Sequence, residues 1–181
     1  MKKFFITTFL IFLTSNTLAA QFDDSFKEMN MIFQKKSEDN FKDSESKKRE
    51  LKVLLTFPET KVKLGQPIYS KITIINVSDH IVKLNASLQA GVVVYFRIID
   101  ENDKQVVPKY LIDSAPPPES NFIRLFPGVQ ITAEYNLADE YSFTNIGNYQ
   151  VKAFYSPLNF GRKDVWNESV VSEPVQLTIV K

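Results

Sequence analysis

Apolar and polar residues alternate with a period of two through most of the chain after residue 50. In the segment 67–77, for example, Ile68, Ile72 and Ile74 occupy one face and Lys71 the other. This period is typical of a β-strand with one buried face. Segments of this kind, separated by turn residues, predict strands at 51–57, 60–64, 67–77, 81–85, 92–100, 105–110, 129–137, 149–155 and 170–180.

The spacing of these segments predicts an all-β fold. Seven to nine strands in two packed antiparallel sheets, a β-sandwich, fit the pattern. No helix-length segment lies between the strands, which argues against a parallel α/β sheet. Residues 92–100 and 105–110 are expected to form a central hairpin, and three prolines at 116–118 to stiffen the long loop that follows.

Residues 21–50 have a different pattern. Phe22, Phe26, Met29 and Phe33 are spaced by four, three and four residues, which places them on one side of a helix. The remainder is rich in charge and almost free of apolar residues, which favours a helical or disordered extension. Two interpretations stay open: a tether without a binding role, or a helix that is presented to a partner.

The first twenty residues have the three zones of a secretory signal. Two lysines precede an apolar run at 4–13, and a small, polar stretch ends at Ala20. A ten-residue helix spans about 15 Å, half of a bilayer core, so the run is too short for a stable anchor. Cleavage after Ala19 fits the small-residue rule best. The chain therefore divides into a signal at 1–20, an extension at 21–50 and a domain at 51–181.

Net charge and cysteine content limit the classes of partner and of chemistry that the sequence supports. Without residues 1–20 the chain keeps 20 of its 22 basic residues and all 21 acidic ones, so its net charge is 20 − 21 = −1. A near-neutral chain gives no electrostatic reason to expect nucleic acid or an anionic membrane as a partner. The absence of cysteine excludes thiolate chemistry and lipidation at an N-terminal cysteine. We expect a soluble periplasmic or extracellular protein, exported by the general secretory route.

One motif is more specific than the alternation. In the segment NIGNYQV at 145–151, Tyr149 follows an Ile-Gly turn and comes two residues before a strand position, Val151. This resembles the tyrosine corner of immunoglobulin-like (Ig-like) domains. Antibody domains have a cysteine where Val151 stands, so the resemblance is to disulfide-free relatives such as fibronectin type III modules. It implies an Ig-like sandwich.

A second resemblance covers residues 66–156. NVS at 76–78, YFRIIDENDKQVV at 95–107, LFPG at 125–128 and GNYQVKAFY at 147–155 occur in an order similar to that of BsuPI-type proteinase inhibitor domains. It implies the same scaffold, and an inhibitory role as one alternative function.

The sequence gives little support for an enzyme. His80 is the only histidine and lies in a polar turn. A histidine-based metal site needs two or three such ligands, and a serine hydrolase triad that used His80 would lack the usual GxSxG context. The glycines form no phosphate-binding motif. Acidic residues cluster in two predicted turns, where turn geometry favours them, and a hydrolase built on them is the alternative from a different class. These residues are Asp100, Glu101, Asp103, Asp139 and Glu140.

The connection at 155–174 is the leading candidate for a binding site. It carries Tyr155, Phe160, Arg162 and the single tryptophan, Trp166, residue types that dominate interface energetics. Two interpretations stay open: a contact site for a partner, or an aromatic plug over the end of the sandwich. The proline-rich loop at 115–121 is a second candidate.

Three Asn-x-Ser sequons begin at Asn76, Asn85 and Asn167. They are relevant only in a host that glycosylates exported proteins. Taken together, the sequence predicts an exported, non-enzymatic binding or accessory module that needs no cofactor or metal and acts through a protein or peptide partner.

Overall fold

The computed structural model describes residues 50–110, 116–157 and 162–181. The predicted signal and almost all of the predicted extension lie outside the described residues. Within them the chain forms ten strands, a 3₁₀ turn at Glu119–Asn121 and a one-turn helix α1 at Leu137–Glu140. The strands are β1 Leu51–Thr56, β2 Lys61–Lys63, β3 Tyr69–Asn76, β4 Val82–Asn85, β5 Val94–Asp100, β6 Phe122–Leu125, β7 Gln130–Asn136, β8 Gly147–Tyr155, β9 Val170–Val171 and β10 Val175–Val180.

The strands form two main sheets and a small ribbon. One sheet has the order β1-β3-β7, and the other has the order β2-β10-β8-β5 with β9 also paired to β8. The ribbon consists of β4 and β6. All pairs are antiparallel except β2 and β10, which run parallel. This order confirms the Ig-like sandwich, because β1, β3 and β7 correspond to strands A, B and E and β5, β8 and β10 to C, F and G.

The alternation in the sequence matches the two faces of each sheet. In β1, Leu51, Val53 and Leu55 are buried, and the residues between them are exposed. The inner faces of both sheets meet in one hydrophobic core, to which β3 contributes Ile72 and β8 contributes Val151. The predicted strands are therefore positioned by burial of their apolar faces.

The predicted tyrosine corner is confirmed. The hydroxyl of Tyr149 donates a hydrogen bond to the carbonyl oxygen of Asn145 at 2.7 Å. The Tyr149 ring is buried and meets the Phe143 ring edge to face at a centroid distance of 5.3 Å. Gly147, at a φ of +144°, makes the turn into β8, where a Cβ would come within 3.3 Å of the Glu101 side chain.

The ten observed strands exceed the predicted seven to nine, and two of the strand predictions differ from the structure. Residues 105–110 form only single bridges, Gln105 with Ile99 and Pro108 with Tyr141, and Pro108 has no N–H with which to continue a ladder. The segment 170–180 is split into β9 and β10 at Ser172–Pro174.

The structure adds one strand that the sequence pattern did not predict, β6. It is only four residues long and pairs with β4, so it has little periodicity of its own. In the part of the chain that is described, no helix is both long and apolar enough to cross a membrane.

Candidate functional site

Trp166 lies on the connection between β8 and β9, at one end of the sandwich. Its ring stacks on the ring of Tyr155 with a centroid distance of 5.8 Å and an interplanar angle of 17°. Its backbone N–H donates to the carbonyl oxygen of Lys83 in β4 at 2.8 Å. The side chain is half-buried, so one part contacts the core and another part remains accessible.

Tyr155 lies beneath Trp166 rather than beside it on the surface. The Tyr155 side chain is fully buried, and its hydroxyl donates to the carbonyl oxygen of Asn85 at 2.8 Å. Burial raises the pKa of this phenol above its usual range. In this arrangement Tyr155 is a rigid support for Trp166.

Arg162 connects the two loops that were predicted as separate candidate binding sites. Its guanidinium lies over the ring of Phe122, 4.4 Å from the centroid, and forms an ion pair with Glu119. Glu119 belongs to the proline-rich loop, and Phe122 begins β6, directly after it. The predicted first and second candidate sites are therefore one continuous surface.

Four charges extend this contact. The ammonium of Lys83 lies 2.8 Å from the carboxylate of Asp164 and 3.5 Å from that of Glu119, which also pairs with Arg162. The hydrogen bond from Arg162 lowers the pKa of Glu119, and that from Lys83 lowers the pKa of Asp164. Because both carboxylates are exposed, these pairs fix geometry more than they add stability.

We call the half-buried side chains of Phe122, Arg162 and Trp166, with their charged neighbours Lys83, Glu119 and Asp164, the Trp166 surface. Of the four predicted binding residues, Arg162 and Trp166 lie on it, Tyr155 lies beneath it, and Phe160 falls outside the described residues. Their binding role stays a prediction. Phe122 was missed because a single aromatic residue four positions after three prolines carries no signal of its own.

His80 and the acidic clusters serve the turns in which they lie. His80 is exposed, with its ring nitrogens 3.2 Å from carboxylate oxygens of Asp79 and Glu50, and the hydrogen bond to Asp79 raises its pKa. A carboxylate oxygen of Asp100 accepts from the backbone N–H groups of Asn102 and Lys104, each at 2.9 Å. Turn geometry thus accounts for the position of the Asp100 carboxylate.

Asp139 and Glu140 lie in α1, whose N-terminus is capped by the side chain of Asn136. Acidic residues are favoured in the first turn of a helix, so their position also has a local explanation. Among the described residues, no group of three or more histidine or acidic side chains is arranged to hold a metal ion.

Two of the three sequons are structural. Asn76 and Asn85 are buried, and the Asn76 amide donates to the carbonyl oxygens of His80 at 2.7 Å and Leu125 at 2.8 Å. Asn167, next to Trp166, is exposed. Only this third sequon is accessible in the folded domain.

A cleft of about 410 Å³ lies at the other end of the sandwich. Its walls come from the turn between β2 and β3, from α1 and from residues 141–144. The lining mixes apolar side chains such as Ile68 with the charged Lys109 and Asp139. Its Lys109 ammonium donates to the backbone carbonyl of Ala138 at 2.6 Å, so this charge already holds α1 in place.

No protein-family model matches the chain, and no curated protein matches it. Among solved structures, a β-glucosidase from Erythrobacter marinus is similar to part of it, with a TM-score of 0.38 and 12% sequence identity. The similarity covers 72% of this chain and 15% of that enzyme. A TM-score this low does not establish a common fold, so the enzyme's activity carries no weight for this chain.

The strand order and the tyrosine corner define the described domain as an Ig-like β-sandwich. The finer likeness to BsuPI-type inhibitors and fibronectin type III modules stays a prediction. The Trp166 surface is the candidate functional site of this domain.

Proposed function

We propose that this chain is an exported, non-enzymatic Ig-like binding or accessory module that acts through a protein or peptide partner. The observation that carries the proposal is the contact of Arg162 with both Phe122 and Glu119. It brings two connections that are far apart in the sequence into one surface at a loop end of the sandwich. Loops held by a rigid sandwich are where such domains usually bind.

The residue types of the Trp166 surface suit a protein interface. Tryptophan and arginine are enriched among the residues that contribute most to binding energy. Trp166 and Phe122 are half-buried, so each has apolar area that a partner would remove from water. Because Tyr155 and the Lys83 carbonyl already hold Trp166, binding would cost little side-chain entropy.

The charges around the aromatic residues favour specificity. Asp164, Lys83, Glu119 and Arg162 alternate in sign, so a partner with a large field of one sign would meet repulsion somewhere on the surface. Such a pattern selects an orientation and rejects mismatched partners more than it adds affinity.

Export rests on the signal at 1–20, and it is tested independently of binding. We expect the protein made in its native host to begin at Ala20 or Gln21 when its N-terminus is sequenced, and to be found outside the cytoplasm. A cytoplasmic product that retains Met1 would contradict export.

Affinity capture tests the binding role. The chain from Gln21 to Lys181 is immobilised and exposed to an extract of the source cell envelope, beside Trp166→Ala and Arg162→Ala variants. Tyr69→Ala is the matched control, because Tyr69 is an exposed aromatic residue on β3, outside the Trp166 surface. We expect a captured protein that is lost with the first two variants and retained with the control.

A partner retained equally by all variants would place binding elsewhere. The fluorescence of Trp166 provides a direct check, since it is the single tryptophan. Addition of the captured partner should shift its emission to the blue and protect it from acrylamide. No change would contradict a contact at this surface. A hydrolytic activity lost on Asp100→Asn or Asp139→Asn would overturn the non-enzymatic assignment.

A further inference from the structure

Strand β7 forms one edge of the three-stranded sheet. It pairs with β3 on its inner side, and on its outer side no other strand within the described residues pairs with it. An edge strand presents a row of backbone donors and acceptors that an additional strand can bind.

The backbone groups that face outward follow from the bonds at the two ends of β7. The Asn76 N–H donates to the Val129 carbonyl at 3.1 Å, and the Leu137 N–H donates to the Ile68 carbonyl at 2.8 Å. In an antiparallel pair, residues alternate between bonding to the partner and pointing away from it. Residues 131, 133 and 135 therefore bond to β3, and the N–H and C=O groups of Thr132 and Glu134 point outward.

The side chains along this edge are incompletely covered. No residue of β7 is buried, although Ile131, Ala133 and Tyr135 face the core and pack against it. Each of the three is half-buried, because the sheet ends at β7 and nothing within it continues over them. A strand added here would cover them with the side chains that point to the same face.

The edge also lacks the usual protection against strand addition. Natural edges are blunted by lysine, by proline or by bulges. β7 contains neither lysine nor proline and pairs with β3 in unbroken register through seven residues. Its only charged residue is Glu134, which is exposed and has outward-pointing backbone groups.

We propose that the outer edge of β7 binds an extended peptide segment of another protein, which adds as a fourth strand of this sheet. The segment alternates apolar residues, which cover Ile131 and Ala133, with polar ones, and places a lysine or arginine opposite Glu134. This mode is β-strand addition. It uses a different surface from the proposed Trp166 site and does not depend on it.

The probe is a fluorescently labelled peptide with the sequence of residues 69–76. This is the strand that β7 already accepts on its inner side, with Lys71 in register with Glu134. Fluorescence anisotropy is measured with the chain from Gln21 to Lys181 and with two variants, Thr132→Pro and Thr132→Ala. Proline removes the outward N–H and leaves the bonds to β3 in place, whereas alanine removes only the side chain.

We expect the peptide to bind the unchanged chain and Thr132→Ala with similar affinity. Thr132→Pro should bind about tenfold more weakly, since an added strand loses one or two backbone hydrogen bonds. Equal binding by Thr132→Pro would overturn the proposal. It would indicate that the peptide replaces β3 on the inner edge of β7, where the Thr132 N–H takes no part. An absence of binding to the unchanged chain would also overturn the proposal.

A charge exchange keeps the test decisive if Thr132→Pro fails to fold. A peptide with glutamate in place of Lys71 should bind the unchanged chain more weakly and recover its affinity with Glu134→Lys. If the affinity does not recover, the proposal that the bound segment places a basic residue opposite Glu134 is wrong. A dimer of this chain that forms through β7 and excludes the peptide would overturn the choice of partner. Trp166→Ala should leave every one of these affinities unchanged, which separates this site from the Trp166 surface.

Discussion

The two sheets of the sandwich end in edges of opposite character, β5 and β7. Most of the outer backbone groups of β5 are occupied by loops and by one side chain. The N–H of Val94 donates to the Gln89 carbonyl, and its carbonyl accepts from the Gly91 N–H. Both backbone groups of Phe96 bond to the Tyr141 hydroxyl. The Ile98 carbonyl accepts from the Val106 N–H, and the Asp100 N–H donates to the Lys104 carbonyl. At β7 no corresponding cover exists among the described residues.

The edge at β5 is thus closed in large part without another strand. The Tyr141 hydroxyl accepts from the Phe96 N–H at 3.1 Å and donates to the Phe96 carbonyl at 2.9 Å, so a single oxygen satisfies both groups. Burial follows this closure: Val94, Phe96 and Ile98 are at most 1% exposed. The side chains of β7 that face the same core remain half-exposed.

The largest expected effect comes from Ala133→Pro. The N–H of Ala133 bonds to β3, so proline removes a bond inside the sheet and should cost about 3 kcal/mol or more in the free energy of unfolding. Chemical denaturation followed by circular dichroism measures it. A cost below that of Thr132→Pro would reverse our assignment of inner and outer residues.

Tyr141→Phe should open the closed edge. Loss of the hydroxyl leaves the buried N–H and C=O of Phe96 without their partner, at a cost of about 2 kcal/mol. The Phe96 amide should exchange hydrogen faster in the variant. The exchange rate of the Ile72 amide, in the middle of the other sheet, should change only as far as the global stability changes. An unchanged Phe96 amide would show that the hydroxyl does not close this edge.

Alkaline pH should weaken the core between the two edges. Burial raises the pKa of Tyr141 and of Tyr135, so the folded state binds the phenol proton more tightly than the unfolded state, whose pKa is about 10. Their stabilisation is complete below that pH and is lost as pH rises toward the folded-state value. Above pH 10 stability should fall by about 1.4 kcal/mol per pH unit for each such tyrosine.

Denaturation between pH 7 and 12 measures how steeply the free energy of unfolding falls with pH. Tyr141→Phe should reduce this slope by the contribution of one tyrosine. An equal slope in the two proteins would mean that Tyr141 already ionises in the folded state. The variant thus distinguishes the tyrosine of the closed edge from Tyr135, which lies under β7 and donates to the Leu88 carbonyl.

Ser70→Ala should stabilise the sheet beside the open edge. Ser70 is the register partner of Tyr135, and its buried hydroxyl oxygen has no hydrogen-bond partner among the described residues. Removal of an unpaired buried hydroxyl is expected to raise the free energy of unfolding by about 1 kcal/mol. A loss of stability would reveal that the hydroxyl has a partner, such as a bound water.

The smallest effect on stability is expected for Thr132→Pro. Proline is tolerated at an edge where the lost N–H faces solvent, so the cost should stay below about 1 kcal/mol. The melting temperature of this variant, compared with that of Thr132→Ala, measures the difference. A cost equal to that of Ala133→Pro would mean that the two edges of β7 are not distinct.

Much of the fold follows from local pattern. The bounds of β1, β3 and β5 lie within two residues of the predicted ones, because apolar alternation and flanking turns define them. The corner at Tyr149 was also predicted, since its hydrogen bond to Asn145 closes over only four residues. β6 could not be predicted because its partner, β4, lies about forty residues away.

The candidate site depends on such distant contacts even more. Composition alone selected Trp166 and Arg162, and the structure brings them beside Phe122 and Lys83. The burial of Tyr155 could not be read from a loop boundary, because it depends on the Asn85 carbonyl seventy residues earlier in the chain. The edge at β7 is visible only when the strand order is known.

The parallel pairing of β2 with β10 gives the domain a mechanical property. The Leu64 N–H donates to the Val180 carbonyl at 2.8 Å, and the Thr178 N–H donates to the Thr60 carbonyl at 2.7 Å. A force that acts on the start of β2 and the end of β10 pulls at opposite ends of this parallel pair, and so slides one strand along the other. All bonds between the two strands then bear the load together, whereas strands pulled apart from one end break their bonds one at a time.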